Sequence, residues 1–535
     1  MPALPITDKD TAWGYWKAGL VAAANVGLSL NATGVTPTIH NLAIRKGYNA
    51  LRLQLAWAGP YSITADDIAI IATRGWDDAG ITLGTQNTAT PTSYKQVAAQ
   101  IDHILTLAQG VGMGVIFAVM DFYQGPGGKL WQQAALQDAL VGFWSATVKR
   151  WPATAYPQII GYDLLNEPNP DSTRSFAELN ALAPNPATLN NWRALANRCV
   201  GAIRAQDVKT PILVEGIYGG AARGLDIFRN LDNPADRSLL VQDLAARVVY
   251  SFHLYAPLPF THQGVTNWAY EALGTLYGDS AYTHWHVWDY YNADPANNRA
   301  GVNLSQDFSS YLSLISHYRN DAYYLNAGRS NPQADFHKQF GVPVFVGEFS
   351  AVNPRLSNAS VVDAKDSHRT LTAISVNANR VTLTLDNLDS NGFRVDCGPS
   401  ATAWPFSNQV LLTMAGTGTA LDGLPFTASV TAGQKTIAFT SSVALPNLTI
   451  GPKGTDASNN SVGTLTLSLP PNKQTSLELA RQRYARDALR MCKQMGFSWA
   501  WHFEDNELSG EFNGWRPSPG VSAILSAAAA GLTLN

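Results

Sequence analysis

Charge is what this sequence is short of. Its 37 Lys and Arg and 40 Asp and Glu make up only 14% of 535 residues, against about 25% in ordinary soluble proteins. A net charge of -3 offers no basic surface to a phosphate backbone or an anionic bilayer, so neither nucleic acid nor membrane is an expected partner. Cysteine is scarce as well. Cys199, Cys397 and Cys492 are odd in number and far apart, have no metal-ligand spacing, and read as buried free thiols. No metal and no cofactor is expected. Long apolar runs are missing too: residues 18–30 are too few to span a bilayer and are interrupted by Asn25 and Gly27. The opening Met-Pro-Ala-Leu-Pro-Ile-Thr-Asp-Lys-Asp lacks the basic start and apolar core of a secretory signal.

Neutral polar residues and rings fill the gap, and such a surface suits sugars better than phosphates. The chain alternates short apolar runs with helical patterns. Strands are expected at Gly27–Asn31, Tyr48–Trp57, Val115–Asp121, Ile159–Leu165, Pro211–Glu215, Val248–Tyr255, Val342–Phe349 and Phe497–Trp501. Helices are expected at Thr38–Lys46, after the capping box Ser93-Tyr-Lys-Gln96, and at Ala134–Lys149, Leu189–Arg204 and Asp307–Tyr318. Two more follow the capping box Thr475-Ser-Leu-Glu478 and span Val521–Ala530. Eight strands alternating with helices over this length make an α/β fold, a (β/α)8 TIM barrel.

One stretch breaks the pattern. Between strand seven and its helix the periodicity turns to alternation, at Val381, Leu383 and Leu385, Ile437 and Phe439, and Leu465, Leu467 and Leu469, with turn residues at Asp386-Asn387 and Asn391-Gly392. A structureless loop of that length is improbable. The expected organisation is therefore barrel at 1–354, an inserted all-β domain at 355–473, and barrel again at 474–535.

Two strands end in a carboxylate. Ile159-Ile-Gly-Tyr-Asp-Leu-Leu-Asn166-Glu167-Pro168 is an apolar run stopped by a proline, which removes a ladder donor and biases Glu167 toward extended backbone. Val342-Pro-Val-Phe-Val-Gly-Glu348-Phe-Ser-Ala does the same downstream. Barrel sites are built at strand C-termini, so both glutamates can enter one bowl. Two carboxyls flanking a glycosidic bond suffice for its hydrolysis. The plainer alternative pairs them structurally with cations such as Arg52.

These motifs resemble glycoside hydrolase family 5, the cellulase-like retaining family of the large barrel clan. The likeness spans roughly residues 20–350 and 475–530 and leaves out the β insert. It implies Glu167 as general acid/base, with Asn166 on the sugar 2-hydroxyl, and Glu348 as nucleophile. It also implies Arg52 on strand two as a fixed cation that keeps Glu348 ionised, His253 near the acid/base, and Tyr255 orienting the nucleophile. Trp501 is implied as a floor under the sugar, with Trp499 the alternative on the same strand. Where the family commonly carries a histidine after strand three, this chain has Tyr123, a departure from a simple cellulase pattern.

Sugars stack their CH faces on aromatic planes. The loop after strand six is dense in rings, Trp285 and Trp288 among them, and one or two are expected to line subsites; Trp57, Tyr61, Trp131 and Trp515 are weaker candidates. The expected function is a retaining, endo-acting glycosidase that cleaves β-glycosidic bonds of a polysaccharide by double displacement, with a polysaccharide or oligosaccharide substrate. Two alternatives stand beside it: an exo-acting glycosidase or transglycosylase on the same barrel, and a non-catalytic glycan-binding tail protein. The Thr- and Gly-rich insert is somewhat like modules that decorate phage tails. It therefore suggests an extracellular or virion-associated depolymerase, with the insert as a further assembly contact.

Overall fold

Eight short apolar segments pair edge to edge and close on themselves. In the computed structural model they are β1 (Ala22–Gly27), β2 (Ala50–Gln54), β3 (Gly114–Ala118), β4 (Ile159–Asp163), β5 (Ile212–Glu215), β6 (Val248–His253), β7 (Val344–Phe349) and β8 (Ser498–Trp501). All neighbours are parallel, and β1 pairs with β8 to complete the barrel. The structure describes residues 8–28, 39–55, 63–80, 92–170 except 121 and 126, 189–255 except 231, 232 and 234, then 261, 336–351, 481–502, 517–532 and 534. Between 358 and 480 it describes the backbone of strands and of one helix.

In chain order the α-helices are α1 (Lys9–Ala18), α2 (Ala65–Arg74), α3 (Tyr94–Gly110), α4 (Ala134–Arg150), α5 (Trp192–Arg204), α6 (Phe336–Phe340), α7 (Pro471–Met495) and α8 (Pro519–Ala529). Five of them are those the pattern gave, with shifted ends; those at Lys9–Ala18, Ala65–Arg74 and Phe336–Phe340 were not expected, and the helix expected at Thr38–Lys46 is a short π-helix at Asn41–Arg45. Ser93 caps α3 as expected: its hydroxyl accepts from the Gln96 N–H at 3.2 Å, and Gln96 Oε1 accepts from the Ser93 N–H at 2.6 Å. Two expectations shift. The first strand lies at Ala22–Gly27, earlier than Gly27–Asn31, and α7 begins at Pro471, which places Thr475 inside it. The helix expected at Asp307–Tyr318 lies outside the described residues. Among described helices none is long and apolar enough to cross a membrane. Cys199 and Cys492 are buried free thiols; Cys397 lies outside the described residues.

Alternation along the strands builds the barrel interior in layers. Ala23, Ala50, Ile116, Ile160, Leu213, Val249, Phe345 and Ala500, one from each strand, form a buried cluster with Ala12 and Trp16 of α1. Trp16 packs edge-on against Phe345 and donates its Nε1–H to the Ile160 carbonyl at 2.9 Å, so α1 closes this end. Burying one such ring contributes about 2–3 kcal/mol. Two residues further along the same strands stand Asn25, Arg52, Glu215, Ser251, Gly347 and His502. An apolar layer gives way to a polar one within a single step.

Two strands carry an extra residue that changes which side chain faces in. On β4 the register jumps from Ile159 opposite Val115 to Gly161 opposite Ile116, which turns Asp163 inward. On β7, His253 pairs with Glu348 although Phe252 pairs with Val346, and β8 shows the same jump from its side. Strict alternation from Phe345 would send Glu348 outward; the bulge at Gly347 brings it in.

Residues 255–310 and 351–484 form a second compact unit. Its strands order as Ala415–Thr417, Phe426–Thr431, Thr436–Ser441, Arg380–Leu385 and Leu371–Asn377 in one antiparallel sheet. A second sheet runs Gln409–Leu412, Phe393–Asp396, Asn358–Asp363, Leu465–Leu467 and Leu448–Ile450. Val381, Leu383, Ile437 and Phe439 fall in strands, as their alternation predicts, whereas Leu469 lies outside the described residues. Asn358–Asp363 pairs with Leu465–Leu467, so the first and last strands of this segment are neighbours.

Candidate active site

The polar layer is organised by Arg52. Its side chain is completely buried on β2, and each of its donors is used. Nε donates to Asp163 Oδ2 at 2.8 Å. Nη1 donates to Glu348 Oε1 at 2.8 Å and to Asn25 Oδ1 at 3.1 Å. Nη2 donates to Glu215 Oε1 at 2.7 Å and to Asn166 Oδ1 at 2.8 Å. Burial disfavours the guanidinium, but Asp163, Glu215 and Glu348 outweigh it and raise its proton affinity further.

His253 is the second hub. Nδ1 lies 2.7 Å from Glu167 Oε1 and 3.5 Å from Glu348 Oε2, and Nε2 lies 3.3 Å from Glu215 Oε1. Burial works against the imidazolium, yet Glu215 and Glu348, with hydrogen bonds to Glu167 and Glu215, hold its pKa well above the ordinary histidine range. Burial raises the pKa of Glu167, and the charges of Glu348 and Glu215 add to this against the opposing pull of His253. Glu167 nevertheless keeps 23% of its side-chain surface open, against 3% for Glu348. It stands at the mouth of a deep polar bowl, where one open side does not restore full hydration.

The remaining carboxylates divide. Burial and the neighbouring Glu215 push Asp163 up to about 7 in spite of Arg52. Glu215 goes the other way: burial opposes its charge, but His253, Arg52 and the Glu167 N–H overcome that and lower its pKa. One oxygen each of Glu167 and Glu348 and one nitrogen of His253 lie within 4.8 Å of one another. Such a trio could in spacing hold a cation, but Arg52 already contacts Glu348 and His253 is itself held positive. It is satisfied as a carboxylate–imidazole–carboxylate cluster.

The backbone that presents Glu167 departs from expectation. Its φ is +48°, in the left-handed region and not extended as the following proline would favour. Three bonds override that preference: Asn166 N–H to the Val119 carbonyl at 2.8 Å, Glu167 N–H to Glu215 Oε2 at 2.8 Å, and Trp144 Nε1–H to the Leu164 carbonyl at 3.0 Å. Strain of this kind is held only where surrounding contacts over-determine it. The segment after β5 also closes in. A Cβ on Gly220 (φ +68°) would sit 3.0 Å from His253 Cγ, and one on Gly219 would come within 4.0 Å of Glu167 Oε2.

Of the residues singled out from sequence, Arg52, Asn166, Glu167, His253 and Glu348 come together. Trp501 does not. Ala500 belongs to the interior cluster, so Trp499 and Trp501 face outward, where both pack edge-on against Phe349 at 6.0 and 5.2 Å. The strand-eight side chain that reaches the bowl is His502, whose Nδ1 is 3.4 Å from Glu348 Oε2. Burial lowers its pKa to about 4 against the pull of Glu348, so it is neutral near pH 7. Tyr123 donates its hydroxyl to Asp66 at 2.9 Å, and the Lys129 ammonium sits over its ring at 5.1 Å. Tyr255 is half-buried, and its carbonyl accepts from Thr261 at 2.6 Å. Trp131 is buried and donates to the Gln124 carbonyl at 2.8 Å, a packing residue and not a platform. Trp285, Trp288, Trp57, Tyr61 and Trp515 lie outside the described residues.

Sequence reasoning passed over Asp163, Glu215, Asn25, His502 and Gln54, whose Nε2 lies 3.5 Å from Glu348 Oε1. Glu215 carried a readable signal: Pro211-Ile-Leu-Val-Glu215 is an apolar run ended by a carboxylate, like the two strands that were singled out. His502 had none beyond its spacing of two from Ala500.

A parallel barrel whose strand ends gather two glutamates around an arginine and a histidine defines a class, the carboxylate-bearing (β/α)8 barrels. The model of the cellulase family, glycosyl hydrolase family 5, matches residues 24–385. The chain belongs to this family. Cellodextrinase A of Ruminococcus flavefaciens is 36% identical over 80 residues, 15% of this chain and 20% of that protein. Endoglucanase C of Acetivibrio thermocellus is 27% identical over 227 residues, 39% of this chain and 55% of the relative. The chain thus spans between a fifth and about half of these relatives' lengths. The solved Cel5A endoglucanase of Thermotoga maritima aligns over 96% of this chain and 99% of its own at a TM-score of 0.42 and 11% identity.

Proposed function

We propose that the protein is a retaining, endo-acting glycoside hydrolase of a β-linked polysaccharide, with Glu348 as nucleophile and Glu167 as general acid/base. The observation that carries this reading is the contrast between two close carboxylates. Glu348 is almost fully enclosed and paired with the Arg52 guanidinium, which favours its ionised form. Glu167 is partly open, and burial raises its proton affinity. A charged group placed beneath the anomeric carbon can attack it while a protonated group at the mouth donates to the leaving oxygen. Once the glycosyl–Glu348 ester forms, a negative charge disappears beside Glu167. Its proton affinity falls, and it takes the proton of the water that releases the sugar.

The spacing supports retention. One oxygen from each carboxylate lies within 4.8 Å of the other, which is compatible with the carboxyl separation of about 5–5.5 Å found in retaining enzymes. The Asn166 amide, held by Arg52 at 2.8 Å, stands beside Glu167 as the group to bind the sugar 2-hydroxyl. The names of the relatives, a cellodextrinase and an endoglucanase, make β-linked glucans the first substrates to test.

Glu348→Gln tests the assignment: turnover is lost, while binding to a soluble β-glucan persists in affinity electrophoresis. Unchanged turnover refutes Glu348 as nucleophile. NMR of the first-formed product anomer tests the stereochemistry, with β expected and α overturning retention.

A further inference from the structure

We infer that Glu215 is a positioning residue for the acid/base, fixing Glu167 through its backbone and, through His253, keeping a positive N–H aimed at its carboxyl group. The inference rests on the reading of Glu167 as acid/base.

Glu215 ends β5 two residues beyond Leu213 of the apolar layer and is fully buried. Its Oε2 accepts from the Glu167 N–H at 2.8 Å, and its Oε1 accepts from Arg52 Nη2 at 2.7 Å and faces His253 Nε2 at 3.3 Å. One carboxylate therefore touches the cation of the nucleophile, the imidazole of the acid/base and the backbone of the acid/base itself. The backbone contact matters because Glu167 sits at φ +48°; a charge-assisted bond is a strong restraint on that conformation.

The imidazole contact matters for charge. Both ring nitrogens of His253 face carboxylates, Glu167 at Nδ1 and Glu215 at Nε2. With the acid proton of Glu167 on Oε2, its Oε1 and Glu215 Oε1 are both acceptors, and both ring nitrogens serve them as donors in the imidazolium. The groups facing the Glu167–His253 pair are Arg52 from β2, Asp163 from β4, Glu215 from β5, Glu348 from β7 and His502 from β8. Among these described residues, Glu215 is the one hydrogen-bonded to both members of the pair. A negative charge there stabilises every proton on the pair, so removing it releases protons at lower pH.

Glu215→Gln keeps the shape and removes the charge. The alkaline limb of kcat/KM, set by proton loss from the Glu167–His253 pair, should move down by about one pH unit. Glu215→Asp keeps the charge and shortens the reach; it should lower kcat and leave the limb in place. A limb that stays put in Glu215→Gln, or moves equally in both variants, overturns the inference. If Glu215→Gln does not fold, the parent protein decides by NMR titration of its labelled imidazole, assigned by its loss in His253→Ala. The ring should remain protonated above pH 7, and an ordinary titration near 6.5 overturns the proposal. Loss of turnover in Glu348→Gln together with an unmoved limb in Glu215→Gln sinks this inference alone. Retained turnover in Glu348→Gln sinks the parent reading instead.

Discussion

Replacing Arg52 with methionine should destabilise the protein in a pH-dependent way. The side chain is buried completely and binds Asp163, Glu215, Glu348, Asn166 and Asn25 at 2.7 to 3.1 Å. Methionine fills much of the volume but leaves three buried carboxylates with His253 as the nearest cation. Removing one partner of a buried ion pair costs about 3–5 kcal/mol, which for a chain of this size lowers Tm by roughly 3–5 °C. The dependence on pH follows from the sign of each shift. In the parent, Glu215 has a lowered pKa, so its stabilising contribution exists above the unfolded value and fades as pH falls. In the variant the stranded carboxylates have raised pKa values, so their folded forms are tolerated at low pH and penalised as pH rises through those values. Both effects narrow the gap between parent and variant on the acid side. Asp163 already sits near 7 in the parent, so its own contribution is lost as pH rises from the ordinary carboxyl range to about 7, which lowers the parent as well and limits how far the gap widens. Thermal melts of both proteins between pH 4.5 and 8, followed by near-UV circular dichroism, measure this directly. A gap that is the same at pH 5 and pH 7.5, or below about 1 kcal/mol throughout, would show that Arg52 does not compensate these charges.

Two further substitutions probe the geometry around the bowl. Gly347→Ala places a Cβ 2.7 Å from Ser251 Oγ and 3.3 Å from His253 Nε2; overpacking of that kind costs about 1–3 kcal/mol. By displacing His253 it should lower kcat more than it raises KM, and steady-state kinetics with unchanged kcat would refute the tight fit. Trp501→Phe should lower stability by roughly 1–2 kcal/mol while KM stays near the parent value, because the ring packs against Phe349 outside the barrel. His502→Ala should instead reduce kcat, since it removes a neighbour of Glu348. The opposite pattern in the two kinetic profiles would return Trp501 to the sugar.

How far the sequence reached depends on what each inference relied on. Barrel class was legible because it rests on alternation of element types, which survives errors of several residues at each boundary; the first strand was misplaced, yet the barrel stood. The glutamates were legible because an apolar run ended by a carboxylate is rare enough to notice. Side-chain direction was not legible. Spacing by two from Trp499 to Trp501 places them on one face but cannot say which face looks inward, and that is settled by Ala500 packing with seven other strands. The β7 bulge was invisible for a related reason. Val-Gly-Glu-Phe read with strict alternation puts Glu348 on the face opposite Phe345, and only a ladder with neighbours on both sides shows the extra residue.

The reason that bulge is worth building lies in the charge balance of the bowl. Arg52 and the His253 imidazolium face four carboxyl groups, those of Asp163, Glu167, Glu215 and Glu348. Two cations can neutralise two of these, so two must hold protons if the buried cluster is to avoid an uncompensated charge. The shifts fall on that division: Glu167 and Asp163 are raised, Glu215 is lowered, and Glu348 is paired with Arg52. Asp163 is sealed in and can only store its proton, whereas Glu167 opens to solvent and can deliver one. Had Glu348 pointed outward, one cation would lack its anion and the need for a proton on Glu167 would disappear. Turning Glu348 into the barrel therefore supplies the attacking carboxylate and, through the same charge, the proton on the acid that faces it.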